Sequence, residues 1–259
     1  MEKIAIIYTT FLRNELVYKT TTSIIKNMKD NYYLLIGDQN TLMKCSCGYY
    51  KECLQHERTL AYRLPHDCGL SFSRNFLVQK AHEMGIKYCL ISADSIAFTD
   101  KYNFEPIIDF IKTRNNNAIV GLKLANRQPF EYDMTLDREL GKFILDRPCR
   151  DLEIVSGIQY KRCDIVKNFF IAPTALLIKY PWNNELKLCE HETFFNQLKE
   201  NNVEVYYTDK ISADYIDDKP DEYKQMRNRL YSEFVQKMRK INGMVDNREG
   251  WIQYNYRSF

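Results

Sequence analysis

Ile4-Ala5-Ile6-Ile7-Tyr8-Thr9-Thr10-Phe11-Leu12-Arg13 is the stretch from which the fold is read. Five apolar residues, three of them isoleucine, form a run too short for a helix. Such a run suits a strand buried on both faces, and it ends in two hydroxyls and an arginine. Residues 15–29 then take a helical rhythm, with Leu16, Ile24, Ile25 and Met28 able to share one face. Tyr32–Ile36 reads as a second strand, closed by Gly37-Asp38. Strand, helix and strand in this order form the β-α-β unit from which parallel sheets are built.

The alternation continues outward from there. Residues 39–66 are polar, irregular and cysteine-containing, and read as a loop or small subdomain. Leu70–Met84 reads as a helix with Phe72, Phe76, Leu77 and Ala81 at core spacing, and Tyr88–Ile91 as a third strand. A helix over Phe104–Thr113 and a strand over Ala118–Leu124 follow, so an α/β sheet with ligands at the carboxyl ends of its strands is expected. The charged middle, residues 126–167, looks like a hairpin region laid across the sheet. Phe169–Ile171 and Ala175–Ile178 resume strand character, Glu190–Asn201 a helix, and Val203–Thr208 a strand. Residues 221–241 form a long polar helix with Tyr223, Met226, Leu230, Phe234 and Met238 along one side. Trp251, Tyr254, Tyr256 and Phe259 make a tail aromatic enough to dock. The expected organisation is one domain over residues 1–218, divided near 125, followed by a helical extension over 219–259.

Composition narrows the function. The 259 residues are 45% hydrophobic, enough for a full core, and the 37 basic and 34 acidic side chains give a net charge of only +3. That balance argues against a nucleic-acid partner, which calls for a concentrated basic footprint. Met1-Glu2-Lys3 leads straight into the first strand with no signal-peptide pattern, and no apolar run approaches the roughly 20 residues of a membrane helix. A soluble, cytoplasmic protein is the expectation. Cys89, Cys163 and Cys189 read as ordinary thiols. Cys45, Cys47, Cys53 and Cys68, with His56 and His66 among them, could hold a zinc ion. Their C-x-C-x5-C spacing is not that of a zinc clip, and a thiol-rich loop is the plainer reading.

Four places can carry chemistry. Thr9, Thr10 and Arg13 behind the first strand, with Asp38 at the end of the second, suit a nucleoside and its phosphate; capping and turn formation would use the same residues. Gly69-Leu70-Ser71-Phe72-Ser73-Arg74-Asn75 opens a helix with free backbone donors and a positive charge, or simply caps it. Asp94, within Ser92-Ala93-Asp94-Ser95, stands where carboxylates hold a cation bridging two phosphates, or where a turn needs a hydrogen-bonding residue. Cys189-Glu190-His191-Glu192 opens another helix; Glu190 or Glu192 could deprotonate a hydroxyl, and the helix dipole would favour both without any catalysis. His191-Glu192 lacks the second histidine of a zinc-protease motif.

In this order the pieces resemble the inverting glycosyltransferases of GT-A type. The likeness is to family 2 enzymes, and to animal β-1,4-N-acetylgalactosaminyltransferases and fukutin-related transferases. Ile4–Arg13 is similar to the family's first strand and donor turn, and Gly69–Asn75 to its G-x-S-x-x-R-N stretch. Tyr88–Phe98 resembles the strand bearing the D-x-D signature. Asn168–Ala172, Pro181-Trp182 and Glu190–Phe195 are similar to the acceptor side and base helix. The resemblance covers residues 4 to about 215. It implies a single Rossmann-like GT-A domain with a mixed, mostly parallel central sheet flanked by helices. It implies a UDP-sugar donor held by Thr9, Thr10, Arg13, Asp38, Arg74, Asn75 and Asp94, and a glycan or glycoconjugate acceptor near Trp182 and His191. The base would be Glu190 or Glu192.

Ala93-Asp94-Ser95 departs from the family's two or three aspartates, and Ser212-Ala213-Asp214 stands where a late histidine completes the metal site. A manganese or magnesium ion would rest on Asp94 and Asp214 alone, and affinity falls with fewer charged ligands. Basic side chains balancing the diphosphate, or lost activity, are the alternatives. Two other functions compete: an inactive GT-A domain that binds nucleotide or glycan, and a nucleotidyltransferase, whose glycine-rich loop Thr9–Arg13 lacks.

Overall fold

The computed structural model describes residues 2–28, 31–40, 56–148, 152–216, 220–246 and 250–255. Cys45, Cys47, Cys53, Tyr256 and Phe259, named above for a zinc clip and a docked tail, lie outside the described residues.

The first strand, β1 (Ile4–Thr10), is buried along its whole length. Ala5 and Ile7 enter one apolar core and Ile4, Ile6 and Tyr8 the other, because alternate side chains of a strand face opposite ways. Burial on both faces is what makes this sequence continuously apolar rather than alternating. Helix α1 (Asn14–Asn27) returns the chain to β2 (Tyr32–Asp38), parallel to β1 in a register that sets Thr10 beside Asp38. Next come β3 (Thr59–Arg63), α2 (Leu70–Glu83), β4 (Tyr88–Ile91), β5 (Ile96–Ala97), α3 (Glu105–Thr113) and β6 (Ala118–Leu124). The middle supplies β7 (Glu131–Asp137), β8 (Lys142–Asp146), β9 (Leu152–Val155), β10 (Ile158–Cys163), β11 (Ile165–Val166) and β12 (Phe170–Pro173). The chain ends with α4 (Thr174–Lys179), α5 (Glu190–Glu200), β13 (Glu204–Tyr215), α6 (Asp221–Ile241) and β14 (Ile252–Asn255).

Two sheets result. The larger runs β3-β2-β1-β4-β12-β6-β13-β10-β9, with β5 on β13; the smaller runs β11-β7-β8-β14. The strands β3, β2, β1 and β4 are mutually parallel, as is β6 with β13, while β12, β10, β9 and β5 pair antiparallel. One core lies under α1 and α3, with Phe98, Phe104, Ile107 and Ile111. The other joins α2 and α5 to the smaller sheet through Leu77, Val78, Phe143, Val166 and Phe194.

Two expectations change. Ala175–Ile178 is not a strand: the strand ends at Pro173, and Thr174–Lys179 turns into a helix that buries Leu176 and Leu177. A four-residue apolar run serves either structure, and only the neighbouring strands decide. The stretch 39–66, read as irregular, holds the edge strand β3 on β2. The C-terminal helix keeps its expected side: Tyr223, Phe234, Val235 and Met238 are buried, the last three inside the α5 core. Trp251 is buried and β14 pairs with β8, so the tail adds a strand to the smaller sheet. No helix among the described residues is long and apolar enough to cross a membrane.

Candidate functional site

The carboxyl ends of β1, β2 and β4 meet at one edge of the larger sheet. Pairing of Thr10 with Asp38, and of Ile7 with Ile91, brings Thr9, Thr10, Asp38 and the turn after Ile91 together. Gln39 ties the edge to α2. Its N–H donates to the Thr10 carbonyl (3.1 Å), and its Oε1 accepts from the Gly69 N–H (2.9 Å). Asp38 Oδ1 accepts from both the backbone N–H (2.9 Å) and the side-chain amide (2.7 Å) of Asn40, and Asn40 Oδ1 accepts from the Leu12 N–H (2.8 Å). Leu12 sits at φ 57°, so the chain reverses sharply there and sends Arg13 back across the strand ends. Sequence reading missed Gln39 and Asn40; their place directly after Gly37-Asp38, at a strand's carboxyl end, was the available signal.

Arg13 meets Asp94 there. Arg13 Nη2 lies 2.7 Å from Asp94 Oδ1, with the carboxylate fully buried and the guanidinium nearly so. Thr20 Oγ1 donates to the Asp94 carbonyl (2.7 Å), pinning this turn to α1. Burial pushes the Asp94 carboxyl upward, against the opposing pull of Arg13 and the Thr10 hydroxyl. The Arg13 guanidinium also lies 4.4 Å from the centre of the Tyr223 ring, which reaches over from α6. Tyr223 in turn accepts a hydrogen bond from Arg227 Nη1 (2.9 Å).

A second buried pair joins α2 to α5: Arg74 Nη1 is 2.7 Å from Glu190 Oε1. The start of α2 is covered by chain rather than open. Leu70 N–H reaches the Lys187 carbonyl (3.5 Å), Ser71 Oγ donates to the Leu186 carbonyl (2.6 Å), and Ser73 Oγ donates to the Gly69 carbonyl (2.7 Å). Gly69, at φ 88°, permits that cover, because a Cβ there would stand 2.7 Å from the Lys187 Cα. Asn75 is engaged with the 182–184 segment: its Nδ2 donates to the Trp182 carbonyl and to Asn184 Oδ1 (both 2.8 Å), and its Oδ1 accepts from the Trp182 N–H (3.0 Å). Trp182 is an interior residue, stacked on Phe194 at 4.2 Å with the Arg74 guanidinium 5.5 Å from its ring centre.

On α5, Glu192 is buried and its Oε2 has no hydrogen-bond partner among the described residues. Burial raises its carboxyl to about 8, with the Glu190 charge adding to the effect. His191 Nδ1 is 3.0 Å from Asn168 Oδ1, and burial together with the Arg74 and Lys167 charges lowers the ring to about 3.

Between the carboxyl end of β1, the start of α2, the 187–188 segment and α6 lies a cavity of about 30 Å³, lined by Thr9, Arg13, Gln39, Lys187, Tyr223 and Arg227 among others. It adjoins a cleft of about 530 Å³ between Phe11, Leu12 and His66 on one side and Glu222, Gln225, Met226 and Arg229 of α6 on the other.

No protein-family model and no curated protein sequence matches this chain. Solved structures do. S. aureus TarS 1–349 superposes with a TM-score of 0.58 at 13% identity, covering 93% of this chain and 65% of the other. The same protein in complex with UDP-GlcNAc gives 0.62 at 12% identity, covering 93% and 66%. GalNAc-T7 with UDP, GalNAc and Mn2+ gives 0.63 at 10% identity, covering 83% and 44%. The fold is that of the GT-A glycosyltransferases. This chain spans just under two thirds of the TarS 1–349 structure and under half of the GalNAc-T7 structure.

On this GT-A frame the expected donor residues divide. Thr9, Thr10, Arg13, Asp38 and Asp94 share the strand-end edge. Arg74 stands with Glu190 instead, and Asn75 supports the Trp182 segment. Trp182, expected at an acceptor pocket, is closed into the core, and His191 is half-buried on α5. Asp214 is half-buried on β13, opposite Ala97 of β5. Among the described residues no three His, Cys, Asp or Glu side chains gather as a metal ion requires. Asp94, the strand-end carboxylate, already faces a guanidinium at 2.7 Å. These side chains do not fit a divalent cation, whose charge would have to displace Arg13.

Proposed function

We propose that this chain is a glycosyltransferase that moves a sugar from a nucleoside diphosphate, a UDP-sugar first, to a hydroxyl of a glycan or glycoconjugate, with inversion. The fold supports a glycosyltransferase; donor, acceptor and inversion extend the resemblance of the sequence to inverting GT-A enzymes. We assign the nucleoside to the cleft beside Phe11 and His66, where the chain leaves the strand end at Thr9 and Thr10. The transferred group is a hexosyl or N-acetylhexosaminyl unit.

Glu192 carries this reading. Glu190 is held by Arg74, whereas Glu192 has a carboxylate oxygen without a partner and a carboxyl raised to about 8. Ionised Glu192 takes the proton of the acceptor hydroxyl, and the acceptor oxygen forms its bond to the anomeric carbon from the face opposite the diphosphate. The bond from that carbon to the diphosphate oxygen breaks with its electron pair, releasing the nucleoside diphosphate. The proton stays on Glu192 until it passes to solvent. Incubation with UDP-, GDP- and CDP-sugars, reading hydrolysis and transfer to a glycan panel, tests this. Turnover that Glu192→Gln abolishes supports it; no turnover with any donor overturns it.

One observation favours a second reading, a nucleotide-binding GT-A domain without turnover: the cavity beside Arg13 is filled by Tyr223 down to about 30 Å³. Nucleotide binding without hydrolysis, indifferent to Glu192→Gln, would select it.

A further inference from the structure

Three cations line the small cavity: Arg13, Lys187 and Arg227. Two have carboxylates, Asp94 at 2.7 Å from Arg13 and Asp67 at 2.9 Å from Lys187. Arg227 is half-buried and has no carboxylate within ion-pair distance among the described residues. Its hydrogen-bond partner is a neutral phenol, Tyr223 OH, at 2.9 Å. Arg74 and Arg239, which are more deeply buried, close on carboxylates at 2.7 and 2.9 Å respectively. Glu190, itself paired with Arg74, acts on Arg227 only through its field, so an arriving anion would make this guanidinium's first ion-pair contact among the described residues. The planar fork of five donors matches phosphate oxygens in pairs.

We infer that Arg227 of the C-terminal helix, together with Arg13, is a diphosphate-binding residue of the donor site, supplying positive charge where Asp94 and Asp214 do not assemble a metal centre. The inference rests on the glycosyltransferase reading and adds α6 to its donor machinery. The cavity of about 30 Å³ has room for about one water, so the donor's arrival includes withdrawal of the Tyr223 ring from Arg13. Tyr223 and Arg227 stand one turn apart on α6 and face the same cavity. The movement that uncovers Arg13 therefore releases Arg227 from its phenol partner at the same time. Farther along, Phe234, Val235 and Met238 hold the helix in the core.

Calorimetric titration of the full chain with UDP and with UMP, in manganese and in EDTA, tests this on the native protein, Arg227→Gln and Arg227→Lys. The expected result is UDP binding that EDTA leaves unchanged, weakened about tenfold or more in Arg227→Gln and partly kept in Arg227→Lys, with UMP changed less than about threefold. UDP binding unaltered in an Arg227→Gln chain of native melting temperature, equal losses for UDP and UMP, or UDP binding abolished by EDTA would each overturn the inference and leave the transferase reading standing. Should Arg227→Gln not fold, the UDP-to-UMP ratio in Arg227→Lys decides: a ratio equal to the native one overturns the inference. A native chain that binds no nucleoside diphosphate removes the transferase reading, and the inference with it.

Discussion

Arg13 and Asp94, 81 positions apart in sequence, form an ion pair of 2.7 Å whose carboxylate is fully buried. Removing one partner strands the other without water, at a cost of about 3–5 kcal/mol, whereas replacing both with apolar groups of similar volume costs far less. Arg13→Met and Asp94→Leu should therefore each lower the urea midpoint strongly. The double variant should recover much of the loss. Additive losses in a double-mutant cycle would show that the pair does not act as a unit.

Glu192 and His191 bend stability in opposite directions with pH. The Glu192 carboxyl is raised in the fold, so the folded state holds a proton that the unfolded chain releases, and stability falls as pH rises from about 4.5 to about 8. The His191 ring is lowered from 6.5 to about 3, so the unfolded chain binds the extra proton and stability falls as pH drops below about 6.5. Glu192→Gln should raise the melting temperature at pH 8 by at least about 3 °C and have little effect at pH 4. His191→Gln should do the reverse, with its gain at pH 4. Melting curves across that range check both.

For activity, Glu192→Gln should lower kcat about 10²–10⁴-fold while the chain folds normally. The native rate should climb with pH and level off above about 8, where Glu192 is ionised. Glu190→Gln behaves otherwise, because it leaves Arg74 buried against a neutral group; stability falls by several kcal/mol, about 3–5, with any rate change secondary. A flat rate profile from pH 6 to 9 would remove Glu192 from the proton transfer.

Trp182→Ala should act through the core. The ring is 1% exposed and stacks on Phe194, so truncation costs about 3–5 kcal/mol of stability. Trp182→Phe should restore most of it. An acceptor KM raised by Trp182→Phe at unchanged stability would place the ring at the acceptor instead.

How far the chain could be read depended on how local each signal was. The strands β1, β2, β4 and β6 are buried on both faces, so their apolar runs announce them; Ala175–Ile178 of α4 is an equally apolar run of four residues and reads as a strand from sequence alone. Edge strand β3 buries only Thr59, its other residues being half-buried or exposed, and it lies inside a polar stretch, which hid it. The strand-end residues Thr9, Thr10, Arg13, Asp38 and Asp94 were legible as a group, since topology alone gathers them. The partnership of Arg13 with Asp94, the engagement of Asn75 with the Trp182 segment, and the reach of Tyr223 and Arg227 over the strand-end edge are tertiary facts, and no spacing in the sequence encodes them.

Gly121 of β6 faces Val166 of the smaller sheet, and a Cβ there would stand 2.6 Å from the Val166 Cβ. The gap between the two sheets is thus gauged by a hydrogen atom. A methyl group added at 121 would push β6 and β11 apart. The spacing of the two sheets at this point is therefore a thickness that only glycine at 121 permits.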